Sequence, residues 1–110
     1  MLETFLKNGN VVCVNKSTKG FRASCSRNDA SPAERLAQVT SSVKYGETLV
    51  GALESVIGGE LGVDFDVDIG PHCLSMVCVD DFVAGLVSTE WELIKTARGD
   101  SLKEVLECLK

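Results

Sequence analysis

Gly46-Glu47-Thr48-Leu49-Val50-Gly51-Ala52-Leu53-Glu54-Ser55 returns 53 residues later as Gly99-Asp100-Ser101-Leu102-Lys103-Glu104-Val105-Leu106-Glu107-Cys108. Each copy follows a stretch that reads as a strand and opens on glycine, which lets the chain turn sharply. Thr48 and Ser101 are good N-caps, because a hydroxyl can accept from an orphan backbone N–H of the first helical turn. Ser101 also has Glu104 three residues on, the pattern of a capping box. Apolar residues then recur at helical spacing: Leu49, Ala52, Leu53, Val56 and Ile57 in the first copy, Leu102, Val105, Leu106 and Leu109 in the second. At the same offset Cys25 falls on Cys78, and Val12 and Val14 fall on Phe65 and Val67. The pattern predicts an α+β fold: two tandem β-β-β-α units, over 10–58 and 63–110, forming an antiparallel sheet covered by two short helices. Capped helices that follow strands can also look alike without a duplication.

Working outward, Val11–Asn15 and Phe21–Ser26 read as a hairpin joined by the polar Lys16–Gly20 turn. Met1–Asn8 reads as a frayed turn of helix. Ser31-Pro32-Ala33-Glu34 is a helix start, with serine as cap and proline at the first position. The spacing predicts a short helical turn through Ala37 and a strand of alternating Val39, Ser41, Val43 and Tyr45. A helix from Pro32 to Tyr45 competes, since Leu36, Val39 and Val43 also share a helical face. Helix 48–58 stops at Gly58-Gly59. Strands at 63–69 and 73–79, joined by Gly70-Pro71-His72, precede a less regular stretch, a strand near Trp91–Ala97 and the helix from Ser101.

The chain has 110 residues, one domain by length. That is enough to bury roughly two-thirds of its unfolded surface. It shows no signal peptide and no apolar run long enough to span a membrane. Its five cysteines form no CxxC pair, and Cys13, Cys25 and Cys78 sit in apolar runs where a free thiol behaves as a small hydrophobe. The expectation is a reducing, cytoplasmic setting without a disulfide framework.

Charge is distributed unevenly. Residues 1–35 hold six Lys/Arg against three Asp/Glu, a balance of +3, and residues 36–110 hold five against thirteen, a balance of −8. Between Lys44 and Lys95, fifty positions carry ten carboxylates and no Lys or Arg. Such a field attracts basic partners and repels nucleic acid, so direct binding of DNA or RNA by this half is not expected. Lys16, Lys19, Arg22 and Arg27 make a small positive patch on the hairpin, which a lysine-guarded sheet edge explains equally well.

Within the acidic run, Asp64, Asp66 and Asp68 alternate with Phe65, Val67 and Ile69. In a strand this puts three carboxylates on one face, and a half-buried strand with a wet acidic face is the plain reading. Counted from Asp64, a calcium loop would need glycine at its sixth place and an acid at its twelfth. Ile69 and Ser75 stand there instead. A magnesium nuclease site would pair these aspartates with Asp80 or Asp81, and Asp68-Ile69-Gly70 before an apolar strand and Asp80-Asp81 resembles the opening hairpin of ribonuclease H-like folds. Little chain remains for the later acids of that chemistry. His72 and Cys73 are neighbours and would face opposite ways on a strand, so they form no dyad. Trp91, between Glu90 and Glu92, is a core anchor or an exposed contact residue, core being the commoner place for a lone tryptophan. Phosphate loops, dinucleotide fingerprints and nucleophile elbows are missing from the sequence, so no cofactor is expected.

The β-β-β-α unit ending in a "GxTLxxAL" helix resembles the N-terminal domain of HicB-like antitoxins, a partial ribonuclease H-like fold. Gly46 to Leu53 matches that pattern closely, and Gly99 to Leu106 matches with Ser for Thr and Val for Ala. The resemblance implies a protein-binding fold that blocks a small basic ribonuclease toxin. The chain departs from the family in having two units in tandem and no DNA-binding module after them. Together these readings predict a small acidic, non-enzymatic inhibitor of a basic nucleic-acid-handling protein, of the anti-defence type (anti-CRISPR or anti-restriction). Its contact residues would be Asp64, Asp66, Asp68, Asp80, Asp81, Glu90 and Glu92. A HicB-like antitoxin, a small-ligand binder with a pocket between the two units, and a metal-dependent nuclease are the alternatives. Pairing of sheet edges could add a homodimer.

Overall fold

The computed structural model describes residues 2–110. Helix α1 (Leu2–Lys7) leads into the hairpin β1 (Asn10–Ser17) and β2 (Gly20–Arg27). Helix α2 (Pro32–Ser42), a short β3 (Lys44–Gly46) and helix α3 (Leu49–Ile57) follow. After an irregular connection come β4 (Cys73–Cys78), β5 (Phe82–Val87), β6 (Leu93–Gly99) and helix α4 (Leu102–Leu109). All six strands join one sheet in the order β3-β2-β1-β4-β5-β6, and every neighbouring pair is antiparallel. The α+β fold with an antiparallel sheet is as expected. The order reads the same outward from the central β1–β4 pair in both halves, except that the first half carries the additional α1 and α2.

The two helix-opening glycines are needed for space. Gly46 has no left-handed backbone, but a Cβ there would run into the main chain of Gly51 and Ala52. At Gly99 a Cβ would come within 3.0 Å of a Glu104 carboxylate oxygen and 3.1 Å of its Cβ. In both copies the helix folds directly back over the end of the strand it leaves. The caps form as expected: Thr48 Oγ1 accepts from the Gly51 N–H at 2.9 Å, and Ser101 Oγ accepts from the Glu104 N–H at 3.3 Å. The Glu104 carboxylate reaches past Ser101 to the Asp100 N–H. Gly58 closes α3 at φ 68°, a conformation that costs glycine little.

One face of the sheet carries Val12, Val14, Ala23, Leu74, Met76, Phe82, Ala84 and Ala97, which lie together by strand register and are buried. Helices α1, α3 and α4 cover it, adding Leu2, Leu6, Leu49, Leu53, Val105 and Leu106 to the same core. No helix among the described residues is long and apolar enough to cross a membrane.

Several local expectations are corrected. Segment 63–69 forms no strand, although its burial alternates as the sequence implies, with Val67 and Ile69 inside and the three aspartates outside. Gly62 and Gly70, both at positive φ, turn it away from the sheet at each end, and the edge of β1 that it would need is taken by β4. It is tied to the helical layer instead: Asp66 Oδ1 accepts from the Val50 N–H at 3.1 Å, and Lys110 Nζ lies 4.6 Å from the Phe65 ring centre. The 53-residue offset therefore holds for the strand–helix ends but not for the hairpins, since β4 rather than 63–69 occupies the place of β1.

The competing helix over 32–45 wins against the strand over 39–45, leaving only Lys44–Gly46 as β3. A complete capping box nucleates it, with Ser31 and Glu34 exchanging side-chain-to-backbone bonds of 3.3 Å. The stretch read as irregular contains β5. Its run Phe82-Val83-Ala84-Gly85-Leu86-Val87 has no apolar–polar alternation to reveal a strand. The strand expected at Trp91–Ala97 is β6, beginning at Leu93.

Candidate functional site

The second face of the sheet is different in kind. Across its middle, strand register aligns Ser24, Cys13, Ser75, Gly85 and Thr96, and these small side chains make a low floor. Helix α2 stands over the β2 side, and the β5–β6 turn, residues 88–92, stands at the far end. Between them lies a groove of about 610 Å³, with apolar walls from Val11, Val39, Pro71 and Val87 and with Trp91 at its rim. Both halves of the chain contribute, because the floor crosses the β1–β4 seam.

Trp91 is 88 % exposed, so the expectation that it anchors the core is corrected. Its backbone is left-handed, φ 65°. The Trp91 N–H donates to Ser88 O at 3.0 Å and the Ser88 N–H to Glu92 O at 2.8 Å. Ser88 Oγ accepts from the Glu90 and Glu92 N–H groups. This is a tight turn closed by a left-handed residue, the conformation for which hairpins ordinarily use glycine. An exposed indole held there is strain of the kind that gathers at binding sites.

The groove's electrostatics oppose those of the chain. The net charge is −5, yet no carboxylate lines the groove, while Arg35 does. Cys13 and Cys73 sit diagonally across the β1–β4 pair, and Cys13 Sγ lies 3.7 Å from Ser75 Oγ. The Cys73 thiol donates to the Leu74 carbonyl at 3.9 Å; its nearness, foremost, with Ser75 and the Arg35 charge, draws the Cys13 thiol down to about 6 against the pull of burial. Cys73, beside the Cys13 sulfur and itself desolvated, is pushed up.

The acidic residues named from the sequence do not gather on one sheet surface. Asp64, Asp66 and Asp68 are exposed on the connection before β4, with Asp66 engaged at the start of α3 and Asp68 accepting from the Gly70 N–H at 2.9 Å. Asp80 and Asp81 occupy the β4–β5 turn, one β4 length away, about 20 Å for six residues. That separation removes the nuclease pairing with Asp68. Arg98 grips Asp81 through two bonds of 2.7 and 3.2 Å, which hold its carboxyl below the usual range. Glu90 and Glu92 lie in the β5–β6 turn beside Trp91, at the opposite end of β5. Among the described residues no three metal-ligating side chains converge. His72, in the turn before β4, has a buried Nδ1 without a hydrogen-bond partner.

Sequence reasoning missed Cys13, Ser75 and Arg35 as members of one site. Cys13 stands between Val12 and Val14, so nothing in the run distinguishes a groove-facing thiol from a core one. The available signal was the glycine-free turn Ser88-Thr89-Glu90-Trp91-Glu92 between two apolar strands. Compared with protein-family models, curated proteins and solved structures, the chain matches none of them.

Proposed function

We propose that this protein binds a small anionic molecule with a planar or apolar body in the groove on the second face of the sheet. One observation carries the reading: an acidic chain reserves a carboxylate-free groove for Arg35 and sets its only tryptophan at the rim. Apolar walls with a few convergent polar groups are the usual make-up of a ligand site, and an Arg fork suits a carboxylate or phosphate. The indole offers a flat face to a planar body. Titration with a panel of aromatic carboxylates and nucleotides, read by Trp91 fluorescence and thermal shift, tests this. Saturable binding that weakens in Arg35→Ala and at raised salt is expected. No response across the panel would reject it.

A second reading keeps the protein-binding inhibitor of a basic nucleic-acid-handling protein, of the anti-defence or antitoxin-like type. It is favoured by the exposure of Asp64, Asp66 and Asp68 along one face of the connection, within the fifty-residue stretch free of Lys and Arg. Its test is replacement of the three by Asn: capture of a basic partner at physiological salt should be lost, and unchanged capture refutes the acidic contact.

A further inference from the structure

We propose that Cys13 is a thiol–disulfide exchange site, taking a low-molecular-weight disulfide from the groove into a mixed disulfide. The groove floor holds two of the five thiols, Cys13 and Cys73. Cys13 is the one with Ser75 Oγ 3.7 Å from its sulfur and with Arg35 overlooking it from α2, while its β2 neighbour Ser24 is uncharged. Arg22, opposite Asn15, adds a positive charge near Cys73. No carboxylate lines the floor from any of these elements. A thiolate in such positive, donor-rich surroundings is the reactive form of cysteine, and the lowered pKa agrees with this placement. Cys108, the most exposed thiol, has no such surroundings.

In the reaction the Cys13 thiolate attacks one sulfur of R–S–S–R. The Cys13–S–S–R bond forms as the old S–S bond breaks, and the leaving RS⁻ takes a proton from water. The protein thiol is oxidised and half of the reagent reduced, so no further oxidant is needed. Cys73 is a positioning residue, the neighbouring thiol on β4 that favours the ionised Cys13 sulfur. The inference rests on the proposed function for one feature only, the charge of the preferred disulfide. Arg35 favours an anionic one such as glutathione disulfide over cationic cystamine.

The test treats the reduced full-length protein with glutathione disulfide, cystamine and the uncharged reagent methyl methanethiosulfonate, and locates adducts by peptide mass spectrometry over a pH series. The expected result is first labelling at Cys13 by all three, half-maximal near pH 6. In Cys73→Ala the Cys13 midpoint should move upward toward the ordinary thiol value of about 8.5, a shift that loss of packing alone would not produce. Labelling of Cys108 ahead of Cys13 by the uncharged reagent, or a Cys13 midpoint no lower than that ordinary thiol value, overturns the proposal. Equal Cys13 rates with the two charged disulfides, alongside preferential labelling by the uncharged reagent, would instead overturn the anion reading of the groove and leave the exchange site standing. Because the wild-type protein carries the main comparison, the result does not depend on any variant folding.

Discussion

Replacing Trp91 by glycine should make this protein more stable. A non-glycine residue in the left-handed region costs roughly 1–2 kcal/mol, and Trp91 sits there at φ 65°. Glycine relieves that strain but adds unfolded-chain freedom worth about 0.5–1 kcal/mol. At 88 % exposure the indole returns little packing energy to offset the gain. The turn's hydrogen bonds run through the Ser88 hydroxyl and main-chain groups, so they survive the change. The net expectation is a stabilisation of about 0.5–1 kcal/mol. Trp91→Asn should gain a similar or smaller amount, since asparagine tolerates this conformation without glycine's entropy. Urea unfolding followed by far-ultraviolet circular dichroism measures it, because the variants lack the only tryptophan. A loss of more than about 1 kcal/mol in both variants would refute the reasoning, by showing that the indole packs. Stabilisation accompanied by loss of ligand response would mark Trp91 as a residue kept for binding at the expense of the fold.

Other outcomes follow from the same geometry. Gly46→Ala should cost about 3 kcal/mol or more, because main chain cannot yield to the new Cβ, whereas Gly99→Ala meets a movable Glu104 side chain and should cost about 1 kcal/mol; comparison of urea midpoints decides. Ser42→Ala removes a hydroxyl that both accepts from the Cys25 N–H and donates to the Cys25 carbonyl, and should cost about 1–2 kcal/mol, read in the same assay. Stability should also depend on pH through the Cys13–Cys73 pair. From about 6 up to the ordinary thiol value near 8.5 the native pair has shed one proton that the unfolded chain keeps, so stability rises with pH. Above that value the unfolded chain loses both protons while Cys73 retains its own, so stability falls. Urea midpoints across pH 5.5 to 10 should therefore peak near the ordinary thiol value, and the peak should flatten in Cys13→Ser.

The repeated strand–helix ends were legible because they depend on local chemistry: a cap, a glycine and a helical stripe are all written within ten residues. The Ser31–Glu34 box was equally plain, yet the period-two pattern of Val39 to Tyr45 competed with it. Two side chains, Val39 and Val43, satisfy both periods, and only tertiary packing separates them. Segment 63–69 shows the opposite case. Its alternation reported burial correctly and the sheet incorrectly, since any extended chain lying on a core buries every second residue whether or not it is hydrogen-bonded to a strand. β5 was hidden because both of its faces are apolar, one for the core and one for the groove. The groove itself joins Cys13, Arg35, Cys73 and Trp91 across four elements, a juxtaposition no short window contains.

Helix α2 buries none of its residues, and Leu36 is 70 % exposed. It is moored by polar threads: Ser42 to both backbone groups of Cys25, Gln38 Oε1 accepting from the Arg27 N–H at 2.8 Å, and Arg35 donating to the Asn28 carbonyl at 3.2 Å. Water can replace each of these bonds at small cost, so the helix can detach while the core beneath stays closed. Hydrogen exchange should then separate two populations of amides. Those of Arg35 to Ser42 would exchange through a local opening that ignores low urea, and those of β1 and β4 only through global unfolding. The depth of the groove becomes a time average, set by how often its wall is in place. A ligand that engages Arg35 would announce itself as slowed exchange in a helix that takes no part in the core.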